Sequence, residues 1–185
     1  MTFPIKSTDY AGPMTDPQTA AELTGDDLET WSALATVLEW LPPTLDAQLQ
    51  RDAGLTHFEY GILYALDRAP EGTLRMSVLA DYANSSLSRL SRAATRLESR
   101  GWLRRTPDPA DGRFTLAVLT AAGRRTAEEA GPGHVRHVRR LVLDRLTPAQ
   151  NRQLRDISRL IAQGIRAGGA YQPAPTPVDR ARPGG

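Results

Sequence analysis

The chain is 185 residues long, 40% hydrophobic and 24% charged, with a formal net charge of +2 and no cysteine. That length suits one domain of ordinary size with surplus at the ends. The lack of cysteine excludes disulfides, thiolate zinc sites and thiol redox chemistry, and it fits a reducing cytoplasm. No stretch approaches the ~18 consecutive apolar residues of a spanning helix, and before Pro13 there is only Lys6 and no apolar run. Neither a membrane partner nor secretion is therefore expected, and the protein is placed in the cytoplasm.

Residues 1–24 mix Pro, Gly, Thr and Asp without period and read as a disordered arm. Leu28, Trp31, Leu34, Ala35, Leu38 and Leu41 then keep the three-to-four spacing of an amphipathic helix, with Thr24 or Asp26 as its cap. Pro42 and Pro43 are expected to kink or break this helix before Leu45 and Leu49 resume the stripe, because proline lacks the amide donor and crowds the preceding turn. After Gly54, Thr56 caps a second helix through Phe58, Ile62, Leu63 and Leu66. Thr73 to Arg75 is a short extended run and Ser77 to Tyr82 a third helix. The Asn84-Ser85-Ser86 cluster suits a turn followed by a new N-cap.

The fourth helix gathers Leu87, Leu90, Ala93, Ala94 and Leu97 on one face. Ser88, Arg89, Arg92 and Ser99 point elsewhere, with Ser91 and Arg96 more lateral. Gly101 ends it, and Trp102 to Thr106 and Phe114 to Leu119 form a hairpin around a long tip, Pro107 to Arg113. Thr120 caps a helix over 121–129, which Gly131-Pro132-Gly133 is expected to break before Val135, Val138, Leu141, Val142 and Leu146 resume it. Thr147-Pro148 opens the last helix, with Leu154, Ile157, Leu160, Ile161 and Ile165 as its stripe. Residues 167–185 have the Pro, Gly and Arg composition of a disordered tail.

Of the 23 basic residues all but Lys6 are arginine. Between Ser85 and Leu103, Arg89, Arg92, Arg96 and Arg100 stand against Glu98 alone, and Arg104 and Arg105 follow at once, so the basic excess is local. A helix with a polar, arginine-bearing outer face fits the major groove of double-stranded DNA, where each base pair shows its own pattern of donors, acceptors and methyl groups. Arg89 or Arg92 can clamp a guanine, Ser88 and Ser91 can meet bases or phosphates, and the free amides near Ser85 and Ser86 can hold a phosphate. Arg96 belongs to the same basic face. A solvated helix face is the competing explanation, and the hairpin weighs against it: Arg113 beside Gly112 can enter a minor groove, with Asp111 as the local partner that orients Arg113 or pins the turn.

These segments also resemble, in order and spacing, the MarR family of bacterial winged-helix regulators. The resemblance rests on Leu97-Glu98-Ser99-Arg100-Gly101, then Trp102-Leu103-Arg104-Arg105, then Asp111-Gly112-Arg113, then Leu119-Thr120-Ala121-Ala122-Gly123. Upstream, Gly54-Leu55-Thr56 and Leu74-Arg75-Met76-Ser77-Val78-Leu79-Ala80 fit the same family, as does Leu146-Thr147-Pro148. It implies a mainly α fold: a winged helix-turn-helix with a small antiparallel β-wing and a helical dimerisation region formed by the N- and C-terminal helices. The winged-helix domain would span 25–166, with the DNA-binding module at about 54–120 and dimerisation helices at about 26–50 and 134–166. A homodimer on a palindromic operator is implied, as is a ligand-responsive repressor. Two departures stand out: Gly112 occupies a position where family members often carry a second arginine, and Pro42-Pro43 falls inside the long first helix.

Regulators of this kind commonly answer to a small molecule, and by that resemblance Trp40, His57, Tyr60 and Tyr64 are the candidates to meet an aromatic or phenolic effector; the competing explanation is core or interface packing. His134 and His137 are three residues apart, but Arg136, Arg139 and Arg140 oppose a cation, so interface polar residues are expected and no metal or other cofactor. No nucleophile motif, carboxylate pair or phosphate-cradling loop accompanies the histidines, so no enzyme and no catalytic residues are expected. The alternative function is a helical dimeric small-molecule sensor, or a protein-interaction module, with a winged-helix body and little operator affinity.

Overall fold

The computed structural model describes residues 22–168, so the expected arm up to residue 21 and the tail from 169 lie outside the described residues. It is mainly helical with one small sheet, as the sequence leads one to expect, with six α-helices and three strands among the described residues. The chain divides into two compact units that meet between Glu39 and Trp40.

Helix α1 runs from Gly25 to Ala53, with Asp26 and Asp27 in its first turn, where carboxylates favour the helix dipole. In the first unit its apolar stripe stays open to solvent: Trp31, Val37 and Leu38 are all exposed. Pro42 and Pro43 do not break the helix, contrary to the expectation above. Their fixed φ is compatible with helix, so what they remove is the two amide donors toward Leu38 and Glu39. The hydroxyl of Thr44 donates to the Trp40 carbonyl at 2.6 Å within the same turn. Burial of Leu45, Gln48 and Leu49 then anchors the following turns.

The core of the second unit is built around α2 (His57–Asp67). Its start is a reciprocal cap: Thr56 Oγ1 accepts from the Glu59 amide at 3.0 Å, and Glu59 Oε2 accepts from the Thr56 amide at 3.0 Å. Leu49, Leu55, Ile62, Leu63, Leu66, Leu79, Leu90 and Leu97 are buried at about the 1% level or below. At roughly 1.5–3 kcal/mol per fully buried aliphatic side chain, these residues dominate the stability of the unit.

A 3₁₀ turn at Pro70–Gly72 leads to β1 (Thr73–Arg75), then α3 (Met76–Tyr82) and α4 (Leu87–Ser99). Strands β2 (Leu103–Pro107) and β3 (Thr115–Leu119) follow, in an antiparallel sheet of order β1-β3-β2. The extended run at 73–75 is thus the third strand, paired Thr73 with Val118 and Arg75 with Leu116. In β2–β3 the register pairs Leu103 with Leu119 and Pro107 with Thr115, which projects the intervening tip away from the core.

Helix α5 is continuous from Ala121 to Leu141, so the expected break at Gly131-Pro132-Gly133 does not occur. Tertiary packing overrides the local preference. Ala127, Ala130 and His134 are buried on one face, and the His134 ring packs on the Tyr60 ring of α2 with centroids 4.8 Å apart. Helix α6 (Pro148–Ala167) begins on the Thr147–Gln150 capping box with Pro148 in its first turn, as expected. None of its residues is buried, and Leu154, Ile157, Leu160, Ile161 and Ile165 are all exposed.

Candidate nucleic-acid interface

Helix α4 is set by its two ends and by one buried face. Ser86 caps its start by accepting from the Arg89 amide at 3.3 Å. At the other end Gly101 takes φ +72°, a conformation that costs a residue with Cβ, and the Trp102 amide returns to the Leu97 carbonyl at 3.0 Å. Leu90, Ala93, Ala94 and Leu97 fill the core. Glu98 grips β2: it accepts from the Arg105 amide at 2.9 Å and from the Arg105 guanidinium at 2.6 Å. These bonds from Arg105 hold the Glu98 carboxyl below the usual carboxylate range. The Leu-Glu-x-x-Gly series therefore carries a core anchor, a strand clamp and a helix stop.

The residues expected to meet DNA separate into distinct groups. Ser88 and Arg92 are exposed, and no hydrogen bond or ion pair holds the Arg92 side chain among the described residues. Ser86 Oγ lies 3.2 Å from Ser88 Oγ at the open N-terminal turn. Arg89 is exposed but lies over the Phe58 ring, its guanidinium carbon 4.4 Å from the centroid. Ser91 is half-buried. Ser85 is 8% exposed and donates to the Ser86 carbonyl at 3.2 Å, so it belongs to the turn and not to the outer face.

Arg96, 57% exposed, has a partner within the fold. Its Nε donates to Glu59 Oε1 at 2.7 Å, and Glu59 is buried. Desolvation raises the Glu59 pKa, but bonds from the Thr56 amide, Arg96 and the Thr56 hydroxyl outweigh it and hold the carboxyl below its ordinary value. One carboxylate thus caps α2 and ties α2 to α4. Arg96 positions the recognition helix.

The wing is held differently. At its base, the buried Asp108 accepts from Arg75 Nε and from Arg75 Nη2, each at 2.7 Å, and from the Ala110 amide at 2.9 Å. The Ala110 amide and Arg75 together keep the Asp108 carboxyl below the usual range. The Arg75 guanidinium carbon also stands 4.5 Å from the Phe114 ring centroid, across the tip. Backbone bonds from Asp108 to Phe114 at 2.9 Å and from Phe114 to Asp111 at 3.0 Å close the turn. Asp111 does both things expected of it. It receives the Arg113 guanidinium through Nε at 2.9 Å and Nη2 at 2.7 Å, and the Arg113 amide at 3.2 Å, while the Arg113 side chain stays 84% exposed. Gly112 has an ordinary φ, and nothing lies within 4 Å of a Cβ built on it, so the missing arginine there reflects no steric need.

Arg75 is the residue the sequence reading passed over. It lies on the short extended run and in the Leu74–Ala80 series without a role of its own, yet it joins the strand preceding α3 to the wing. The signal for it is indirect: a tip of sequence Pro-Asp-Pro-Ala-Asp that buries Asp108 requires a cation from elsewhere in the fold. The Leu-Thr-x-x-Gly restart has an equally local cause. Thr120 Oγ1 donates to the Gly101 carbonyl at 2.7 Å and accepts from the Gly123 amide at 3.0 Å. A Cβ at Gly123 would stand 2.0 Å from the Trp102 carbonyl oxygen, so only glycine fits.

A cleft of about 340 Å³ adjoins α4, lined by Pro42, Asp46, His57, Phe58, Tyr82 and Arg89 among others. Of the four candidate effector residues only His57 lines it. Tyr60 is buried and packs on His134, with ring centroids 4.8 Å apart and Tyr64 6.1 Å away. Trp40 is 71% exposed and makes no ring contact among the described residues. His134 is buried, its Nδ1 3.0 Å from Gln48 Oε1 and its ring 5.3 Å from that of His57. Because the Gln48 amide nitrogen donates to Asp52, the Gln48 oxygen faces His134 and His134 Nδ1 is the donor. Among the described residues no group of three or more His, Asp or Glu is placed to hold a metal ion, and no helix is long and apolar enough to cross a membrane.

Comparison with known proteins agrees with this architecture. A sequence model described as MarR family matches residues 53–113, from the end of α1 to the wing arginine. Sco3205, a MarR family transcriptional regulator from Streptomyces coelicolor solved in complex with DNA, is 44% identical, with a TM-score of 0.76 over 78% of this chain and 94% of that one. AbsC, a MarR family transcriptional regulator from the same organism, is 34% identical, with a TM-score of 0.76 over 80% of this chain and 99% of that one. An uncharacterized HTH-type transcriptional regulator of Bacillus subtilis strain 168, YxaD, is 35% identical over 80 residues, 43% of this chain, and the match spans 54% of that relative's length. These relatives are regulators and not enzymes. With its capped recognition helix, arginine-tipped wing and glycine-tightened helix restart, the chain belongs to the MarR family of transcriptional regulators.

Proposed function

We propose that this protein binds double-stranded DNA sequence-specifically as a homodimer on a palindromic operator, in the cytoplasm, and represses transcription until a small aromatic or phenolic effector releases it. The observation that carries the reading is the outer face of α4, where Arg92 and Ser88 stand exposed and without a carboxylate partner above a fully buried inner face. In a major groove Arg92 reads a base through its guanidinium fork, and Ser88 meets bases or phosphate. Arg89, Ser86 and the first-turn amides of α4 serve phosphates, and Arg113 enters the minor groove. The DNA complex of the 44% identical Streptomyces relative supports this assignment.

The dimer reading rests on two apolar faces, each open by itself: Trp31, Val37 and Leu38 in the first unit, and the five residues Leu154, Ile157, Leu160, Ile161 and Ile165 on α6. Exposure on that scale marks an interaction surface in a soluble chain, and a second copy is the two-fold partner a palindrome requires. The effector reading rests on the cleft shared by His57, Phe58 and Arg89. An aromatic acid there would draw Arg89 to its carboxylate and so compete with DNA for the position of α4.

Selection of bound fragments from a random DNA pool, with sedimentation of the free protein, tests the whole. The expected outcome is a dimer at micromolar concentration and an enriched palindrome with half-sites ~34 Å apart. With three or four phosphates met per protomer, the log-log salt slope should be roughly −5 to −7. A monomer, or a pool without an enriched motif, would contradict the proposal.

A further inference from the structure

A second crevice, of about 380 Å³, opens between the C-terminal part of α1 and α5, lined by Arg51, Arg136, Arg140, His137, Gln48 and Asp52 among others, and it shares no residue with the cleft beside α4. Three guanidinium groups border it against a single carboxylate. That carboxylate, Asp52, already accepts the Gln48 amide at 2.8 Å. Neither Arg51 nor Arg136 forms an ion pair among the described residues.

Solvation and the helix dipole explain only part of this cluster. Arg139 and Arg140 lie in the last turn of α5, where cations are favoured, and Arg139 is further paired with Asp144 at 2.8 Å. Arg136 lies outside that turn and stands four residues before Arg140, a spacing at which like charges repel. The histidine between them is also committed. Arg140 Nη2 lies 2.9 Å from His137 Nδ1, and a guanidinium can only donate, so Nδ1 carries the lone pair and the hydrogen sits on Nε2. His137 Nε2 is buried and has no hydrogen-bond partner among the described residues. Three guanidinium groups on the rim of one crevice, two of them free of any ion pair among the described residues, are the chemistry that receives an oxyanion.

We propose that this crevice binds a small, multiply charged oxyanion ligand, a phosphorylated or polycarboxylate metabolite whose oxygens are clamped by Arg51, Arg136 and Arg140. Its volume lies within the ~300–1,000 Å³ of small-ligand sites, and forked guanidinium groups match carboxylate and phosphate oxygens alike. The ligand class differs from the aromatic effector assigned to the cleft beside α4, and the inference does not depend on DNA binding.

The test is calorimetric titration of the full-length protein, without DNA, with inorganic pyrophosphate and separately with citrate. Saturable binding of either, one equivalent per chain, is expected; pyrophosphate alone assigns a phosphorylated ligand and citrate alone a polycarboxylate. Arg136→Gln and Arg140→Gln should each weaken it at least ~10-fold. Arg139→Gln, which removes a charge from the same helix but a paired one, should leave it within about twofold. Arg51→Gln, on the other helix, repeats the test should a change in α5 unfold the chain, as followed by circular dichroism. No saturable binding of either anion up to ~10 mM, or an equal loss in Arg139→Gln, would overturn the proposal, the latter by showing diffuse attraction to a basic helix.

Discussion

The recognition helix and the wing both present an exposed arginine, but they are held by different physics. Helix α4 rests on four buried side chains, a capped start and the Glu59–Arg96 tie. The wing has no core of its own: Arg75, Asp108, Asp111 and short backbone bonds hold it. Several buried apolar side chains fix an element against the whole unit, whereas a tip held by a few polar ties opens locally at lower cost. The base reading proposed for α4 would thus sit on the rigid element, while the wing's geometry hangs on one arginine outside it. Substitutions in the two regions should therefore separate: those under α4 should show first as stability, and those in the wing as affinity for DNA.

The largest stability effect is expected from Glu59→Gln, which removes the charge that pairs with Arg96 and leaves one amide oxygen to serve both Arg96 and the reciprocal cap. Thermal or urea unfolding should show a loss of roughly 1–3 kcal/mol, since hydrogen bonds to a charged group and a helix cap are involved. The sign of its pH dependence is fixed. The Glu59 carboxyl lies below its ordinary value of 4.5 in the folded chain, so its contribution is fully present above that value and is lost as pH falls through the folded pKa. Glu59→Gln should flatten the acid limb of the stability curve, and an unchanged limb would remove Glu59 from the account of α4.

Arg75→Ala comes next. It frees the buried Asp108 and the Phe114 ring, so operator affinity should fall about 3- to 10-fold, as ordering of the wing must then be supplied on binding. Global stability should change by less than in Glu59→Gln, because the tip can open locally and hydrate the Asp108 carboxylate. A loss of stability as large as that of Glu59→Gln, with affinity unchanged, would erase the distinction between the two regions. Gly112→Arg should have the smallest effect and the opposite sign. The position has an ordinary φ and free space, so the substitution should fold normally, tighten DNA binding several-fold and steepen the salt slope by up to about 0.9 per added phosphate contact.

The same contrast explains what was legible in the sequence. Apolar periodicity fixes a buried face, so Leu90, Ala93, Ala94 and Leu97 were identifiable without coordinates, as were the caps at Thr56, Ser86, Thr120 and Thr147, but Leu87, expected on the same face, is exposed at the first turn. Proline and glycine misled in two places, at Pro42-Pro43 and Gly131-Pro132-Gly133. Their penalty is local, and burial of Leu45 and Leu49 in one case and His134 in the other outweighs it. Long-range polar ties left no local trace. Arg96 looked like another member of a basic face until Glu59, 37 residues away, proved to hold it, and Arg75 is separated from Asp108 by 33 residues. Ser85 lies in the turn expected of the Asn84-Ser85-Ser86 cluster, but its side chain is folded inward. Trp40 and the tyrosines were grouped by residue type, and only His57 reaches the cleft.

Competition binding measures directly the division of labour proposed for Arg92 and Arg113. Affinity for the selected operator and for random DNA would be determined at one salt concentration for wild type, Arg92→Ala and Arg113→Ala. Arg92→Ala should lose ~10-fold or more on the operator, at 1–3 kcal/mol for each guanidinium fork, while changing little on random DNA, so the ratio of the two collapses. Arg113→Ala should weaken binding to both and alter preference in the flanking minor groove. Equal losses on operator and random DNA for Arg92→Ala would contradict base reading by α4.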